Sequence, residues 1–179
     1  MIRDVFAFVI AVLLLYVAAR LATTLQYYRR QRQRARDSER ALGRTVIAEI
    51  PGDDDLVLFS EDAVRFFYGE RSIDKDLVTA VRVLINGAPI ASYVSTRHPG
   101  SSDRQPTAFE DRPEGIARDR WDVAIEMIGT SGAVGGTTLV ECGAIRERVS
   151  QELARAIYEA VRRDLERRDH QAVSGTPPR

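Results

Sequence analysis

An apolar run from residue 5 to residue 25 constrains the fold of this chain more than any other feature of its sequence. The run is apolar throughout except for Arg20 and two threonines near its end. Because a helix rises about 1.5 Å per residue, a run of this length fits the roughly 30 Å hydrocarbon core of a bilayer. It shows no polar face, so it is not expected to lie along a membrane surface. The sequence therefore predicts a single membrane-spanning helix.

The residues that follow the run have the character of a membrane boundary. Tyr27 and Tyr28 lie where an aromatic belt is expected, and Arg20 is close enough to the end of the run for its guanidinium to reach the headgroups. Because positively charged flanks stay in the cytoplasm, we expect the N-terminus outside the inner (plasma) membrane and the rest of the chain inside. This orientation depends on five further arginines, which are Arg29, Arg30, Arg32, Arg34 and Arg36.

A cleaved signal peptide is the alternative interpretation of the same run. Signal peptides begin with a net positive segment and carry a shorter apolar stretch of about 7–15 residues. This chain opens with Arg3 beside Asp4, and its strongest positive charge lies after the run. Both features favour a retained anchor over a signal that is removed.

The charge of the chain is divided between its two parts. Nine arginines against three acidic residues give +6 up to Arg44, and seventeen basic against twenty-three acidic residues give −6 beyond it. The basic part adjoins the apolar run, so its expected partner is a bilayer with anionic headgroups and not nucleic acid. Lys75 is the only lysine beside twenty-five arginines, which indicates a GC-rich coding preference and a bacterial source.

Beyond Arg44 the pattern predicts short strands separated by turns. The dipeptide Asn86-Gly87 is the strongest short hairpin signal in the chain, and it joins two of the candidate strands. A segment rich in Pro, Gly, Ser and charge, residues 96–119, is expected to be an exposed loop. The seven candidate strands are residues 44–50, 56–59, 64–68, 77–85, 88–94, 121–127 and 137–142.

The C-terminal part changes to a helical period. An apolar stripe at steps of three and four residues predicts an amphipathic helix packed on the sheet. The opposite side is expected to carry the ion pairs Glu159–Arg163 and Asp164–Arg168. A disordered tail is expected over 169–179. The predicted stripe consists of Val149, Leu153, Ala156, Ile157, Ala160, Val161 and Leu165.

Seven strands followed by one amphipathic helix resemble the pleckstrin-homology-like superfold, which recurs beside transmembrane helices in bacterial membrane proteins. The resemblance covers residues 44–168 and consists of element order alone. It implies an α+β domain in which a bent antiparallel sheet or barrel is capped by the helix. A two-layer α+β sandwich is the alternative. The expected organisation is an anchor at 1–28, a basic juxtamembrane helix or linker at 29–43, the domain at 44–168 and the tail.

No catalytic or cofactor motif emerges from the remaining residues. The acidic turn at 53–55 would repel the phosphates that the resembled family binds in its first loop. The glycine-rich segment 129–136 lacks the lysine of a phosphate-binding loop and leads into a strand. Cys142 is expected to be a small packed residue, and one cysteine with two histidines leaves too few ligands for a structural zinc site. We therefore expect no cofactor, no metal and no small-molecule substrate.

These observations favour a membrane-anchored, cytoplasm-facing adaptor that binds another protein, as an accessory subunit of a membrane assembly, and not an enzyme. Two alternatives stay open at this point. One is a hydrolase-type enzyme whose site combines acidic residues with His98. The other is a sensor of the anionic membrane surface.

Overall fold

The computed structural model describes residues 2–52, 56–98, 119–129 and 135–174. The predicted acidic turn at 53–55 lies outside these residues, as do most of the loop 96–119, the middle of the glycine-rich segment and the end of the tail. The described chain is α+β, with an N-terminal apolar helix, two antiparallel sheets of four strands each and a C-terminal helix. It divides into two compact units, Met1–Gly43 and Arg44–Arg179.

The first unit is one long helix, α1, over Ile2–Ala41. It continues without a break from the apolar run through the arginine-rich segment, for which the sequence left helix and linker open. The helix ends where Leu42 N donates to Ser38 O at 3.2 Å and Gly43 N donates to Arg40 O at 2.9 Å. Gly43 has a φ of 74°, the left-handed conformation in which helices commonly end.

The first sheet of the second unit is an antiparallel meander in the order β1-β2-β3-β4. Its strands are β1 (Thr45–Pro51), β2 (Leu56–Glu61), β3 (Arg65–Tyr68) and β4 (Arg71–Asp74). The first three correspond to predicted strands, and β4 is additional. Of its four residues only Ile73 is buried, so no alternating apolar pattern marked it in the sequence.

The second sheet has the order β6-β5-β7-β8, and all of its pairs are antiparallel. Its strands are β5 (Val78–Ile85), β6 (Ala88–Val94), β7 (Arg120–Met127) and β8 (Thr137–Ala144). Asn86 and Gly87 both have positive φ angles, 52° and 79°, which confirms the predicted tight hairpin between β5 and β6. Because β5 lies between β6 and β7, its backbone is hydrogen-bonded along both edges.

One hydrophobic core joins both sheets and the C-terminal helix α2, which covers Arg148–Ser174. Phe59 and Phe66 of the first sheet stack with ring centroids 5.8 Å apart. Helix α2 packs against β1, β5, β7 and β8 and contributes Ile157, Val161 and Leu165 to the core. The prediction that a helix packs on the sheet is thus confirmed.

Two details of the predicted helix differ from the structure. Val149 was expected in the apolar stripe but is 61% exposed, because it lies about 80° around the helix from the buried Ile157, whereas the buried Ser150 occupies the core-facing position of the first turn. The helix also continues to Ser174, whereas a disordered tail was expected from Asp169 onward. Asp169 is buried and accepts hydrogen bonds from the end of β6, which fixes this additional part of the helix.

The contrast between Ile157 and Val149 gives a matched test of the core. Ile157→Ala deletes a fully buried side chain and should lower the free energy of unfolding by about 2–5 kcal/mol. Val149→Ala, on the same helix, should change it by less than about 0.5 kcal/mol. Urea unfolding followed by the fluorescence of Trp121 measures both. Equal effects of the two substitutions would contradict the packing of α2.

Candidate functional site

The apolar part of α1 is exposed within its own unit. Among the described residues, one helical segment, Ile10–Ala41, is long and apolar enough to cross a membrane, and its apolar window is not buried. Leu14 and Leu15 are 61% and 70% exposed. By length and composition the segment meets the requirement for a spanning helix.

The five arginines of the basic flank are distributed around α1. Arg29, Arg32 and Arg36 are spaced by three and four residues and share one face of the helix, while Arg30 and Arg34 lie on the adjoining face. At about 100° per residue they cover an arc of about 200°, more than half of the circumference. All five are exposed, as is Tyr27, whereas the side chain of Tyr28 lies outside the described residues. A helix that passes through the headgroup layer would meet anionic groups on all these sides.

The polar residues in the second half of the apolar run lie on one side of the helix. Tyr16, Arg20, Thr23 and Thr24 recur at helical spacing and fall within an arc of about 100°. The run stays apolar by composition, because these polar residues are few.

The side chain of Arg20 makes a contact on its N-terminal side, and its carbonyl oxygen makes two on its C-terminal side. Its Nε donates to the hydroxyl of Tyr16, one turn earlier, at 3.4 Å. The hydroxyls of Thr23 and Thr24 both donate to the carbonyl oxygen of Arg20 at 2.8 Å. This Nε contact lies on the N-terminal side of Arg20, and the reach of the guanidinium to the headgroups stays a prediction.

In the second unit, the only lysine of the chain is buried. Lys75 Nζ donates to Glu61 Oε2 and to the carbonyl oxygen of Asp62, each at 2.8 Å, and lies 4.5 Å from the centre of the Phe66 ring. It is also 3.8 Å from Asp164 Oδ1 on α2. Lys75 therefore links the first sheet to the C-terminal helix.

Asp164 is the acidic centre of this cluster. Its side chain is only 3% exposed and accepts from Arg168 Nε at 2.9 Å, which confirms the predicted Asp164–Arg168 pair. Arg167 also contacts it. Its position was predicted wrongly, because Asp164 faces the core and not the solvent. The other predicted pair also differs, since Arg155 donates to Glu159 at 2.8 Å.

A second buried carboxylate, that of Asp169, connects the end of β6 to α2. Asp169 accepts from the Ser95 hydroxyl at 2.6 Å, the Tyr93 hydroxyl at 3.0 Å and the Thr96 backbone N–H at 3.1 Å. Burial raises the pKa of Asp169, but the hydrogen bonds from Ser95, Thr96 and Tyr93 outweigh burial and hold the pKa below its ordinary value. Asp169 is therefore ionised in the folded protein at neutral pH.

Paired charges also occupy the face of the second sheet opposite the core. Arg120 Nε lies 2.7 Å from Asp122 Oδ1, and its Nη1 lies 2.6 Å from Glu141 Oε2. Arg82 Nε lies 2.7 Å from Glu126 Oε1. The Arg82–Glu126 pair links β5 to β7 and the Arg120–Glu141 pair links β7 to β8, so both reinforce the pairing of these strands.

The residues considered for chemistry do not converge. Cys142 is fully buried, as predicted, and burial raises the pKa of its thiol to about 12, so it is protonated at neutral pH. His98 follows β6, where its backbone N–H donates to Ser95 O at 3.1 Å. Within the described ranges, no group of three or more His, Cys, Asp or Glu side chains is arranged to hold a metal ion.

Sequence reasoning missed the clusters around Lys75 and Asp169, although a signal was present. Asp164 lies seven residues after Ile157, and Asp169 lies eight residues after Val161, so both carboxylates occupy the core-facing side of α2. An acidic residue on such a stripe indicates a buried partner.

No protein-family model matches the chain, and we found no match among curated proteins or solved structures.

Removal of the Lys75 ammonium should destabilise the second unit. Lys75→Met retains the length of the side chain but leaves Glu61 and Asp164 without this cation, so we expect a loss of about 1–3 kcal/mol in the free energy of unfolding. The exposed neighbour Asp76 provides a control, because Asp76→Asn should change stability by less than about 0.5 kcal/mol. If Lys75→Met is as stable as the original chain, Lys75 does not link the sheet to α2.

The Asp169 cluster predicts a pH dependence. Because the folded-state pKa lies below the ordinary 3.8, Asp169 stabilises the fold above that value and loses its effect as the pH falls through the folded-state pKa. Asp169→Asn should lower stability at neutral pH by about 1–2 kcal/mol. It should also flatten the acid side of a plot of stability against pH.

Urea midpoints measured across the acid range test this expectation, with Glu152→Gln as the control. Glu152 is an exposed acidic residue of the same helix, paired with Arg148. A parallel pH profile for Asp169→Asn and the original chain would show that Asp169 has no lowered pKa.

Proposed function

We propose that the chain is a single-pass membrane protein whose second unit faces the cytoplasm and binds another protein there. The observation that carries this proposal is the order of two surfaces along α1, an apolar one followed by an arginine-rich one. An exposed apolar helix long enough to cross a bilayer continues directly into a helical segment with five exposed arginines. The positive-inside rule assigns that flank, and all that follows it, to the cytoplasmic side of the inner membrane.

The fold of the second unit supports the same proposal. We propose that it is a pleckstrin-homology-like domain, because an antiparallel β unit is followed by one C-terminal helix that packs across both sheets. The fourth strand of the first sheet and the order β6-β5-β7-β8 are departures from the simple element order expected from the sequence.

The positions of the charged groups in the second unit agree with a role in binding another protein. Buried charged groups, among them Lys75, Asp164 and Asp169, connect secondary-structure elements to one another. The exposed side of α2 carries Arg–Glu pairs at i,i+4 spacing, such as Arg155–Glu159 and Arg162–Glu166. Membrane attachment would confine this surface and a partner to two dimensions, which raises their effective concentration without further contacts.

A sensor of anionic membrane surface is the second candidate function. It is favoured by the arc of exposed arginines, each of which contributes on the order of 1 kcal/mol near an anionic surface. In this case the lipid itself is the ligand, and no protein partner is required.

Anchoring and orientation are tested together in intact cells. The full chain should stay with membranes after alkaline carbonate extraction, and deletion of residues 2–25 should release it, because the apolar run provides the attachment. In a Cys142→Ala background, a cysteine at Asp4 should react with an impermeant maleimide, whereas one at Arg148, whose side chain is 88% exposed, should react only after lysis.

The reverse labelling pattern, or a mature protein that begins after Ala22, would contradict the proposal. The same membranes distinguish the two candidate functions when they are dissolved in mild detergent. An adaptor should co-purify with one partner in a fixed ratio. A sensor should purify alone and bind vesicles in proportion to their anionic lipid.

A further inference from the structure

Arg20 lies deep in the apolar run for a charged residue. It precedes the end of the run at residue 25 by five positions, which corresponds to about 7.5 Å along a helix. A charged side chain within the hydrocarbon core is unfavourable by about 2.5–3.5 kcal/mol or more, and such residues usually pair with another polar group. The position of Arg20 therefore requires an explanation beyond anchoring.

The direction of the side chain places the guanidinium still deeper. Side chains of a helix lean toward its N-terminus, and the Nε contact with the Tyr16 hydroxyl follows this direction. Tyr16 precedes the end of the run by nine positions, or about 13.5 Å, which is near the middle of a bilayer core about 30 Å thick. The guanidinium is thus directed toward the bilayer centre and away from the basic flank.

The chain supplies no carboxylate for Arg20 at this depth. Between Asp4 and Asp37 the sequence contains no acidic residue. The hydroxyls of Thr23 and Thr24 donate to the Arg20 carbonyl, so these contacts add no acceptor for the guanidinium. A guanidinium has five N–H donors and no acceptor, and the hydroxyl of Tyr16, which accepts from Nε, has a proton of its own to donate.

We propose that the face of α1 formed by Tyr16 and Arg20 binds a transmembrane helix of another protein that carries an Asp or Glu near the bilayer centre. One carboxylate would accept from both the guanidinium and the Tyr16 hydroxyl. A second copy of this chain does not fit, because two guanidinium groups would repel each other. The inference rests on the proposed membrane anchor and names the chemistry of the partner that such an anchor would meet.

A defined peptide tests this pairing in vesicles of zwitterionic lipid. The probe is a leucine-rich transmembrane peptide of about 20 residues with one central Asp, compared with the same peptide in which that Asp is Leu. The purified full chain carries a donor dye on its N-terminal amine, because the only lysine, Lys75, is buried, and the peptide carries the acceptor. Energy transfer should show about ten-fold stronger association with the Asp peptide.

Substitutions on α1 assign the effect to the proposed face. Arg20→Leu should abolish the preference for the Asp peptide, and Tyr16→Phe should reduce it by about three-fold. Arg40→Leu is the matched control, because Arg40 lies beyond the apolar run and pairs with Asp37. It should leave the preference unchanged.

Three results would overturn the proposal. They are equal association with both peptides, a preference that persists in Arg20→Leu, and Arg20-dependent association of differently labelled copies of the chain without peptide. Flotation of the same samples distinguishes failure of the membrane anchor from failure of the carboxylate pairing. If the chain does not float with the vesicles, the proposed membrane anchor is wrong as well. If it floats but does not distinguish the peptides, only the proposed carboxylate partner is wrong.

Discussion

The unfavourable contact between the apolar side chains of α1 and water is the constraint on which the proposed anchoring of this protein depends. Each large apolar side chain gains about 1.5–3 kcal/mol when it leaves water, and the exposed leucines and valines of α1 would together make a free helix strongly unfavourable. Among the described residues of the first unit, none covers these side chains. In the proposed membrane anchor, a lipid environment would satisfy these side chains without further folding, so a unit that consists of one helix would be sufficient.

In the second unit, a different set of interactions holds two sheets and a helix in one arrangement. Its hydrophobic core is shared among all of them, but apolar contacts alone allow helices to slide. Lys75 and Asp164 fix α2 against the first sheet, and Asp169 fixes the end of α2 against β6. Buried polar groups of this kind must be fully paired, so they tolerate few alternative arrangements.

The elements that were predictable from the sequence are those set by local rules. The hairpin at Asn86-Gly87 follows from backbone conformations, and the alternation in β7 correctly placed Val123 and Ile125 in the core. The position of β5 between β6 and β7 was not predictable, because strand order is set by contacts distant in sequence. The burial of Asp164 depends in the same way on Lys75, which is far from it along the chain.

Site-directed spin labelling of the full chain in vesicles tests the central claim most directly. In a Cys142→Ala background, a label at Leu14 should be accessible to dissolved oxygen and shielded from a water-soluble nickel complex. A label at Gln33 should show the opposite behaviour, because it lies beyond the apolar run. If the nickel complex reaches Leu14 as readily as Gln33, α1 does not cross the bilayer, and the account of this protein as a membrane-anchored module is wrong.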